Sequence, residues 1–440
     1  MKRTLRVMTV ALAAAIGLPA TARAGSEVDA LLNKLVDKGL LTSVEAQEVR
    51  NEIGGGAKDR EDQQKSFVKD TAKDVVPKWA QNIALNGDMR LREEYRNRTG
   101  TGQDINRQRI RFRYGLDAKV ADDLKVGARF ATGSTTDPVS TNQSLNTAFN
   151  HKNFLLDRAF VEYTPEVLGI SKLKLSGGII ENPFWMVGPL VWDDDLNFDG
   201  AAVHVDKQLG PVTVFTNDGL FSLQTDVSEA ASLWSLQGGV SVTPFANEGD
   251  EILKNLKLTA ALAYHDYKNV TDAFTENDAF AQAGGASGTT PAAPSSAQLK
   301  GNTSGVRDFN LLNSTVELAS QYDDVPFSLF GDWVHNTAVH AGDDGFMIGV
   351  KAGKARVPFD LLKGWEGGYY FERLAPDATF GPFTDSDFCN GGTNHLGHVY
   401  WLKFATLKNS AIQLKYFNTQ EIKGAKNHAD TFQADWVTKF

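Results

Sequence analysis

Residues 109–120 read RIRFRYGLDAKV, and every second side chain in this stretch is apolar. The apolar positions are Ile110, Phe112, Tyr114, Leu116, Ala118 and Val120. Between them lie three arginines, a glycine, an aspartate and a lysine. Because successive side chains of a β-strand point to opposite faces, this pattern predicts a strand with one apolar and one charged face. Its length suits a strand that crosses a membrane.

The same alternation recurs along most of the chain. Clear segments cover residues 85–96, 124–133, 173–180, 256–265, 327–334, 346–353 and 412–417. Weaker segments cover residues 158–164, 200–205, 212–217, 236–242, 312–318, 365–372 and 400–405. With residues 109–120 and the segment that ends the chain, they make 16 strands. An even number of strands places both ends of a membrane barrel on the same side.

The connections between these segments alternate in length. Short ones at residues 121–123 and 407–410 alternate with long ones at 135–153, 221–231 and 267–308. Unpaired backbone groups are not tolerated in hydrocarbon, so a sheet that spans a membrane has to close. A soluble β-sandwich would also show alternation, but its strands are usually shorter. We therefore predict an all-β fold, a closed antiparallel transmembrane β-barrel of about 16 strands.

The first residues have the features of a secretory signal peptide. Lys2, Arg3 and Arg6 precede an uncharged apolar run over residues 7–18, and a small-residue cleavage site follows at 22–24. The alternative, a membrane anchor, is disfavoured because the apolar run is too short for a spanning helix. We predict that residues 1–24 are a signal peptide and that the chain is exported.

Composition excludes several classes of protein. Cys389 is the only cysteine, which rules out an internal disulfide, a CxxC zinc site and a CxxCH haem attachment. The formal net charge is −9 and there is no long basic run, so nucleic acid is not an expected partner. We expect neither a cofactor nor a resident metal. With 42% hydrophobic and 10% aromatic residues, the chain can form a large core or an apolar outer belt.

A helical segment is predicted ahead of the barrel. Apolar residues at positions 28, 31, 32, 35 and 36 share one helical face, and Thr42 and Glu45 have the spacing of a capping box. Helices this short are marginal alone, so they either pair with another copy or protein, or form a hairpin within the chain. The predicted organisation is a helical segment at 25–56, a charged linker at 57–78 and the barrel at 79–440.

The segment that ends the chain carries a signature of its own. Phe432, Trp436 and Phe440 lie on one face of the predicted strand, opposite Gln433 and Asp435. This arrangement resembles the C-terminal signal of outer-membrane barrels that the barrel-assembly machinery reads. The resemblance implies that machinery as a partner and outer-membrane lipid as the surroundings.

Several stretches resemble a bacterial family called putative porins. They are GIIENPF at residues 178–184, DDDLNFDGA at 193–201, GDWVHN at 331–336, and residues 364–397 with ERLAPDATFGPFTDSDF at their centre. The family consists of outer-membrane barrels with a signal peptide and a helical N-terminal segment, and Cys389 departs from its pattern. The resemblance implies a channel in the bacterial outer membrane. By analogy with other 16-stranded porins we expect a homotrimer.

The interior of such a barrel is wide enough for water. A basic set on the polar faces of three consecutive strands is predicted to line the pore: Arg90, Arg92, Arg109, Arg111, Arg113, Lys125 and Arg129. An acidic set around the NPF turn is predicted to line the opposite wall: Glu181, Asp193, Asp194, Asp195 and Asp199. A field between two such walls would orient polar solutes. Alternatively these charges are solvated pairs without effect on selectivity, because every wet barrel has inward charges.

The sequence thus predicts a porin that conducts small hydrophilic solutes or ions passively, through a charged constriction. The arginines slightly favour anionic or zwitterionic solutes. The helical residues 25–56 would then lie in the periplasm, where they would pair subunits or touch the cell wall.

Two rival classes have some support in the sequence. An outer-membrane hydrolase would use polar residues near one strand end, but neither a nucleophile elbow nor an HExxH motif is present, so we expect no enzyme. A structural or adhesion barrel would use the long loop at residues 268–308. The hydrolase candidates are Ser328, Asp332, His335, Asn336 and His340, and a metal site would use Asp385, Asp387, His395 and His398.

Overall fold

The computed structural model describes residues 32–38, 42, 45, 82–100, 104–146, 148–224, 230–270, 300–303, 308–356 and 364–440. The chain divides into two compact units, residues 1–81 and 82–440. Among the described parts of the chain, no helix is both long and apolar enough to cross a membrane.

The first unit contains a helix and a capping box. Residues 32–37 are helical. The Thr42 N–H donates to Glu45 Oε2 over 2.8 Å, and the Glu45 N–H donates to Thr42 Oγ1 over 3.2 Å, which confirms the predicted capping box. The signal peptide at 1–24 and the linker at 57–78 lie outside the described residues, as does most of the segment 25–56.

The second unit is a closed antiparallel β-barrel of 16 strands, with one extra two-residue strand inside a connection. Each strand pairs with its neighbours along the chain, and β1 pairs with both β2 and β17, which closes the ring. The strands are β1 (Ile83–Arg98), β2 (Ile105–Lys119), β3 (Leu124–Thr132), the two-residue β4 (Gln143–Ser144), β5 (Phe154–Tyr163), β6 (Lys172–Glu181), β7 (Asn197–Leu209), β8 (Val212–Gln224), β9 (Ala231–Val242), β10 (Lys257–Lys268), β11 (Phe309–Tyr322), β12 (Val325–Asn336), β13 (Asp344–Gly353), β14 (Trp365–Leu374), β15 (His395–Leu407), β16 (Ser410–Glu421) and β17 (His428–Lys439). The predicted fold class is confirmed, and each of the 16 predicted segments overlaps one of the barrel strands.

The outer face of the barrel is apolar. On β10, for example, Leu258, Leu262 and Tyr264 are exposed, whereas Ala261 and Ala263 between them are buried. The same alternation of exposed apolar and enclosed side chains runs through the other long strands. An exposed apolar band of this kind matches the hydrocarbon that surrounds a membrane barrel.

Aromatic side chains form a row across the outer face. Tyr369, Tyr400, Tyr416, Phe432 and Tyr95 are direct partners in register from β14 through β17 to β1. The rings of Tyr369 and Tyr400 lie 5.0 Å apart, and those of Tyr400 and Tyr416 lie 6.3 Å apart. Rows of this kind are typical of the level where a barrel meets the lipid headgroups.

The residues predicted to carry the assembly signal lie on this outer face. Phe432, Trp436 and Phe440 are all exposed. Phe440 exchanges two backbone hydrogen bonds with Gly87 on β1, of 2.9 and 3.0 Å, and its ring lies 6.0 Å from that of Phe112 on β2. These contacts place Phe440 at the seam where the ring closes.

The two-residue turns lie at one end of the barrel, and the longest connections lie at the other. Residues 210–211, 323–324 and 408–409 are two-residue turns at the same end. β8 continues to Gln224 and β9 begins at Ala231, so the predicted connection 221–231 overlaps the end of β8. At the opposite end lie loop A (residues 133–153), loop B (182–196) and loop C (375–394), and most of the longer connection between Lys268 and Phe309 lies outside the described residues.

Loops B and C fold into the barrel and pack against apolar side chains of the wall. Trp192 of loop B lies 5.1 Å from Phe198 of β7, and Phe380 of loop C lies 5.4 Å from Phe309 of β11. The inward positions of the wall are therefore not polar throughout, contrary to the prediction. The other apolar side chains of this cluster include Phe221, Tyr267, Phe330, Tyr370, Phe383, Phe388, Val399 and Phe417.

Candidate functional site

The inner face of β1 and β2 carries a ladder of arginines. In the strand register, Arg90 lies opposite Arg111, and Arg92 lies opposite Arg109. Like charges directly opposite on one face repel each other, so the ladder needs counter-charges. Carboxylates from the same wall supply some of them: Asp88 accepts hydrogen bonds from Arg111 at 2.8 Å and from Arg113 at 2.7 Å.

Loops A and B are attached to this ladder through one carboxylate. Asp195 of loop B lies 3.4 Å from Arg111 Nη1 and 3.2 Å from Arg113 Nη1. Its second oxygen accepts hydrogen bonds from the backbone and the hydroxyl of Thr141 in loop A, at 3.3 and 2.9 Å. Burial opposes ionisation of Asp195, but Arg111 and Arg113 outweigh it and lower the pKa of Asp195. Asp195 is thus in direct contact with the arginines rather than across a gap from them.

Loop C is attached to the same ladder by a buried ion pair. Arg92 donates to both oxygens of Asp387 at 2.9 and 2.8 Å, and to Asp435 of β17 at 2.7 and 2.9 Å. Arg96 donates to Asn390 of loop C over 2.8 Å. A guanidinium held by two carboxylates in bidentate geometry is among the stronger polar contacts available. Arg92 therefore positions loop C inside the barrel.

Buried carboxylates also meet where loops B and C touch. The Ser386 N–H donates to Asp193 Oδ2 over 2.7 Å, and the Asp193 N–H donates to the Phe383 carbonyl over 2.9 Å. Burial, together with Asp385 and Asp195, raises the pKa of Asp193 well above its ordinary value. Burial raises the pKa of Asp385 to about 6. Both carboxyls are therefore protonated more easily at this contact than in water.

A cavity of about 210 Å³ lies beside the wall formed by β3, β5 and β6. Its lining includes Asp117, Asn182 and several charged side chains. Lys125 and Lys174 both pair with Glu162, the second over 3.4 Å. The remaining charged residues of its lining are Arg129, Arg158 and Glu181.

A larger cavity adjoins it beneath loop B. Its volume is about 430 Å³, and it is bounded by Trp185 of loop B and by polar side chains of the wall. The loop is fixed above it because the Gln237 side chain bonds both the backbone N–H and the carbonyl of Trp185, at 2.8 and 2.9 Å. His204 and Asn217, 2.6 Å apart, continue this polar network along the inner wall.

The residues predicted to line the pore fall into separate environments. Lys125 and Arg129 border the open cavity, whereas the other five basic residues lie on the ladder that the loops cover. Glu181 is mostly exposed and pairs with Arg158 at 3.2 Å. Asp194 borders two further cavities near loop B.

One residue of the predicted acidic set points away from the interior. Asp199 on β7 is exposed and lies between Phe198, which is buried among inward side chains, and Gly200. Because faces alternate along a strand, Asp199 belongs to the outer face. Its prediction as an interior residue is therefore wrong.

Sequence reasoning did not single out several residues of the site. Arg158 and Lys174 lie at alternating positions in segments that were predicted as strands, so the same period-two pattern could have found them. Asp387 and Asn390 could not be found in this way, because their role depends on loop C folding inward. Asp435 was placed on the polar face of the last strand but was not linked to Arg92.

The residues predicted for a hydrolase site and for a metal site do not come together in the structure. On β12, Ser328 and Asp332 are buried inward residues, whereas His335 pairs with Asp344 at 3.1 Å beside outward Trp333. Within the described ranges, the one group of three possible metal ligands within 4.8 Å of one another is His335, Asp343 and Asp344. The predicted quartet from loop C and β15 does not form such a group.

Known proteins resemble the chain in sequence pattern and in fold. No curated protein matches it in sequence. Among solved structures, OprB of Pseudomonas putida at high pH has a TM-score of 0.53 at 11% identity, over 82% of this chain and 95% of that one. OmpF of Salmonella typhi, in complex with daunomycin, has a TM-score of 0.47 at 10% identity, over 81% and 97%. The outer membrane channel DcaP of Acinetobacter baumannii has a TM-score of 0.45 at 14% identity, over 81% and 97%.

The sequence profile described as "Putative porin" matches residues 94–333 and 320–440. This match covers most of the barrel, and the fold of the barrel agrees with it. The chain therefore belongs to the putative porin family and is an outer-membrane channel for small solutes.

Proposed function

We propose that solutes cross this channel by passive diffusion along the wall of β3, β5 and β6, past loop B. The observation that carries this proposal is the cavity between loop B and that wall, which is lined by residues of both. Its lining is polar and charged, so water and hydrophilic solutes would be favoured over apolar ones. Loop B limits the width of the path.

We propose that Lys125, Arg129, Arg158 and Lys174 set the electrostatic potential along this path. The ladder arginines from Arg90 to Arg113 would contribute mainly through their excess charge, because the loops cover them. Loops A, B and C would lie at the outer, extracellular end, since short turns of outer-membrane barrels face the periplasm. We also propose that the barrel has no catalytic activity.

The proposal extends to the assembly of the barrel and to its partners. We propose a homotrimer, supported by analogy with other 16-stranded porins. The exposed Phe432, Trp436 and Phe440 support recognition by the barrel-assembly machinery. Residues 25–56 would pair subunits or contact the cell wall from the periplasm.

Planar-bilayer recording on the purified full chain tests the channel directly. We expect discrete conductance steps that grow with salt concentration. Arg158→Glu should shift the reversal potential in a KCl gradient towards cation preference, because it reverses a charge on the path. Glu317→Lys, which reverses a charge in the lining of the larger cavity, is the control of equal charge change, and its shift, towards anion preference, should be smaller. Absence of conductance steps would contradict the channel, and a shift of equal size in both variants would contradict the path.

A further inference from the structure

The arginine ladder contains more positive than negative charge. Its ion pairs join seven arginines to five carboxylates, which leaves two positive charges in excess. The arginines are Arg90, Arg92, Arg96, Arg107, Arg109, Arg111 and Arg113, and the carboxylates are Asp88, Glu94, Asp195, Asp387 and Asp435.

Arg90 and Arg109 are two of the arginines that lack a close carboxylate partner. The carboxylate nearest to Arg90 is Asp435 at 3.9 Å, and the one nearest to Arg109 is Glu94 at 3.6 Å. Each of these carboxylates has a closer partner at 2.7 Å, Arg92 for Asp435 and Arg107 for Glu94. Arg90, Arg96 and Arg109 are thus the members of the ladder without a carboxylate of their own, and Arg96 is held by the neutral acceptors Thr431 and Asn390, at 3.0 and 2.8 Å.

Arg90 and Arg109 instead bond to neutral acceptors in one turn of loop A. Arg90 Nη2 donates to Asn142 Oδ1 over 2.6 Å, and Arg109 Nη2 donates to Ser140 Oγ over 3.3 Å. Asn142 in turn donates to Ser140 Oγ over 3.3 Å, so the two side chains form one bridge between the guanidinium groups.

Each of the two guanidinium groups also has a donor left over. The Nε–H groups of Arg90 and Arg109 have no hydrogen-bond acceptor among the described residues. The two Nε atoms are enclosed, whereas each side chain as a whole is 12% exposed. A donor on a charged, largely enclosed group without an acceptor is costly, and an anion that enters in place of the contacts to Asn142 and Ser140 would satisfy it.

We propose that the space between Arg90, Arg109 and the turn at Ser140–Asn142 is a binding site for a small oxyanion, a carboxylate or a phosphate group. Guanidinium groups recognise such anions through paired N–H donors. The anion takes the place that carboxylates occupy around the other arginines, and it displaces the neutral contacts to Asn142 and Ser140. This inference rests on the proposed function, because the anion reaches the site from the channel.

Inorganic phosphate is the probe for this site. In planar bilayers at constant ionic strength, replacing chloride by phosphate should reduce the conductance of the wild type along a saturating curve. Arg90→Gln and Arg109→Gln should each raise the half-saturating concentration about tenfold, the effect of losing one charge-assisted contact. Arg90→Lys keeps the charge, and its half-saturating phosphate concentration should lie between those of the two Gln variants and that of the wild type. Lys403→Gln, which removes an interior cation on β15, should leave the curve unchanged.

Asn142→Asp tests the same idea by supplying the anion from the chain. The new carboxylate would lie at the position of Asn142 Oδ1, 2.6 Å from Arg90, and the Ser140 hydroxyl would donate to it. The variant should melt at a higher temperature than the wild type in chloride, and phosphate should no longer affect its conductance.

Thermal unfolding in detergent gives a readout that does not depend on conduction. Phosphate should raise the melting temperature of the wild type more than chloride does at equal ionic strength, but not that of Arg90→Gln or Asn142→Asp. If the channel conducts but phosphate changes neither conductance nor melting, or if Lys403→Gln loses the effect as fully as Arg90→Gln, the site is wrong while the channel stands. If phosphate stabilises the protein and no conductance appears, the proposed function fails and the site stands.

Discussion

Individual carboxyl groups in this barrel differ in charge state because of what surrounds them. Asp387 is buried, which opposes ionisation, but Arg92 outweighs burial and holds the pKa of Asp387 well below its usual range. Asp385, two residues earlier, has no arginine partner, and burial raises its pKa to about 6. Two neighbouring carboxyls of loop C are therefore held in opposite protonation states at pH values below about 6, where Asp385 is protonated and Asp387 stays ionised.

The attachment of loop C should consequently depend on pH. A carboxyl whose pKa is raised in the folded state stabilises that state below its ordinary pKa, and the contribution is lost as pH rises through the raised value. For Asp385 this window runs from its ordinary value of 3.8 to about 6. The charged and titratable groups facing Asp385 are Asp193, Asp194, Asp387, Glu372, Tyr370 and Lys415.

Hydrogen exchange of loop C amides, corrected for intrinsic rates, measures this effect. Protection should fall by up to about a hundredfold between pH 4 and pH 7, given about two pKa units at Asp385. Asp385→Asn should flatten the profile. Asp387→Asn is the contrasting variant, since loss of the Arg92 pair should lower protection across the whole range. A wild-type profile that is flat, or that rises with pH, would show that this carboxyl does not govern the loop.

Single glycines also decide local packing at the seam of the barrel. A Cβ atom on Gly87 would lie 2.5 Å from the Arg113 carbonyl oxygen and 2.6 Å from the ring of Phe440. At Gly177, by contrast, the nearest atom to a Cβ is the Gly200 carbonyl oxygen at 3.9 Å. Gly87 thus leaves room for Phe440 to lie across β1.

Gly87→Ala should therefore destabilise the closed barrel by about 1–3 kcal/mol, the usual cost of overpacking. The heat-dependent mobility shift of folded barrels on SDS gels would detect this as a lower unfolding temperature. Gly177→Ala is the matched control and should unfold close to the wild-type temperature. Equal behaviour of the two variants would show that the Phe440 ring moves aside without cost.

At the scale of the element, the strands follow directly from alternation. The alternating pattern of residues 109–120 predicts β2 because the two faces of the segment differ sharply. The pairing of β2 with β1 and β3 confirms that this strand is part of the closed barrel. Strands such as β8 gave weaker signals because inward Phe221 and outward Leu220 are both apolar. A strand with two apolar faces hides its period, so its limits could not be read accurately from the sequence.

The loops show where local patterns carry no information. The sequence of residues 375–394 gives no indication that Phe380 and Phe383 lie inside the barrel. Their position depends on apolar partners from β10, β11 and loop B, which are distant in the sequence. Five residues of the predicted basic set lie together on the ladder of β1 and β2, but the loops that cover them could not be predicted from the sequence, and a role of the set in lining the pore stays a prediction.

At the scale of the whole molecule, the barrel separates two solvents. The outward face of β10 carries Leu262 near its middle, whereas Thr213 of β8 borders the large inner cavity. Leu262→Arg should destabilise the barrel in lipid by about 2–4 kcal/mol, the cost of an arginine near the bilayer midplane. Thr213→Arg places the same charge in water and should cost far less.

Urea unfolding in lipid vesicles measures the difference between these two variants. The unfolding midpoint of Leu262→Arg should fall clearly below that of Thr213→Arg. If both variants unfolded at the wild-type midpoint, the apolar face would not be in contact with lipid.

Asp195 has a consequence for how this barrel can be altered. Its two oxygens bind Arg111 and Arg113 on one side and Thr141 on the other, so Asp195 is one contact that loops A and B share. A chimera that exchanges only one of the two loops for that of a related protein would break the contact between Asp195 and Thr141. A chimera that exchanges both loops together would keep it, so recombination between relatives should preserve the two segments as one block.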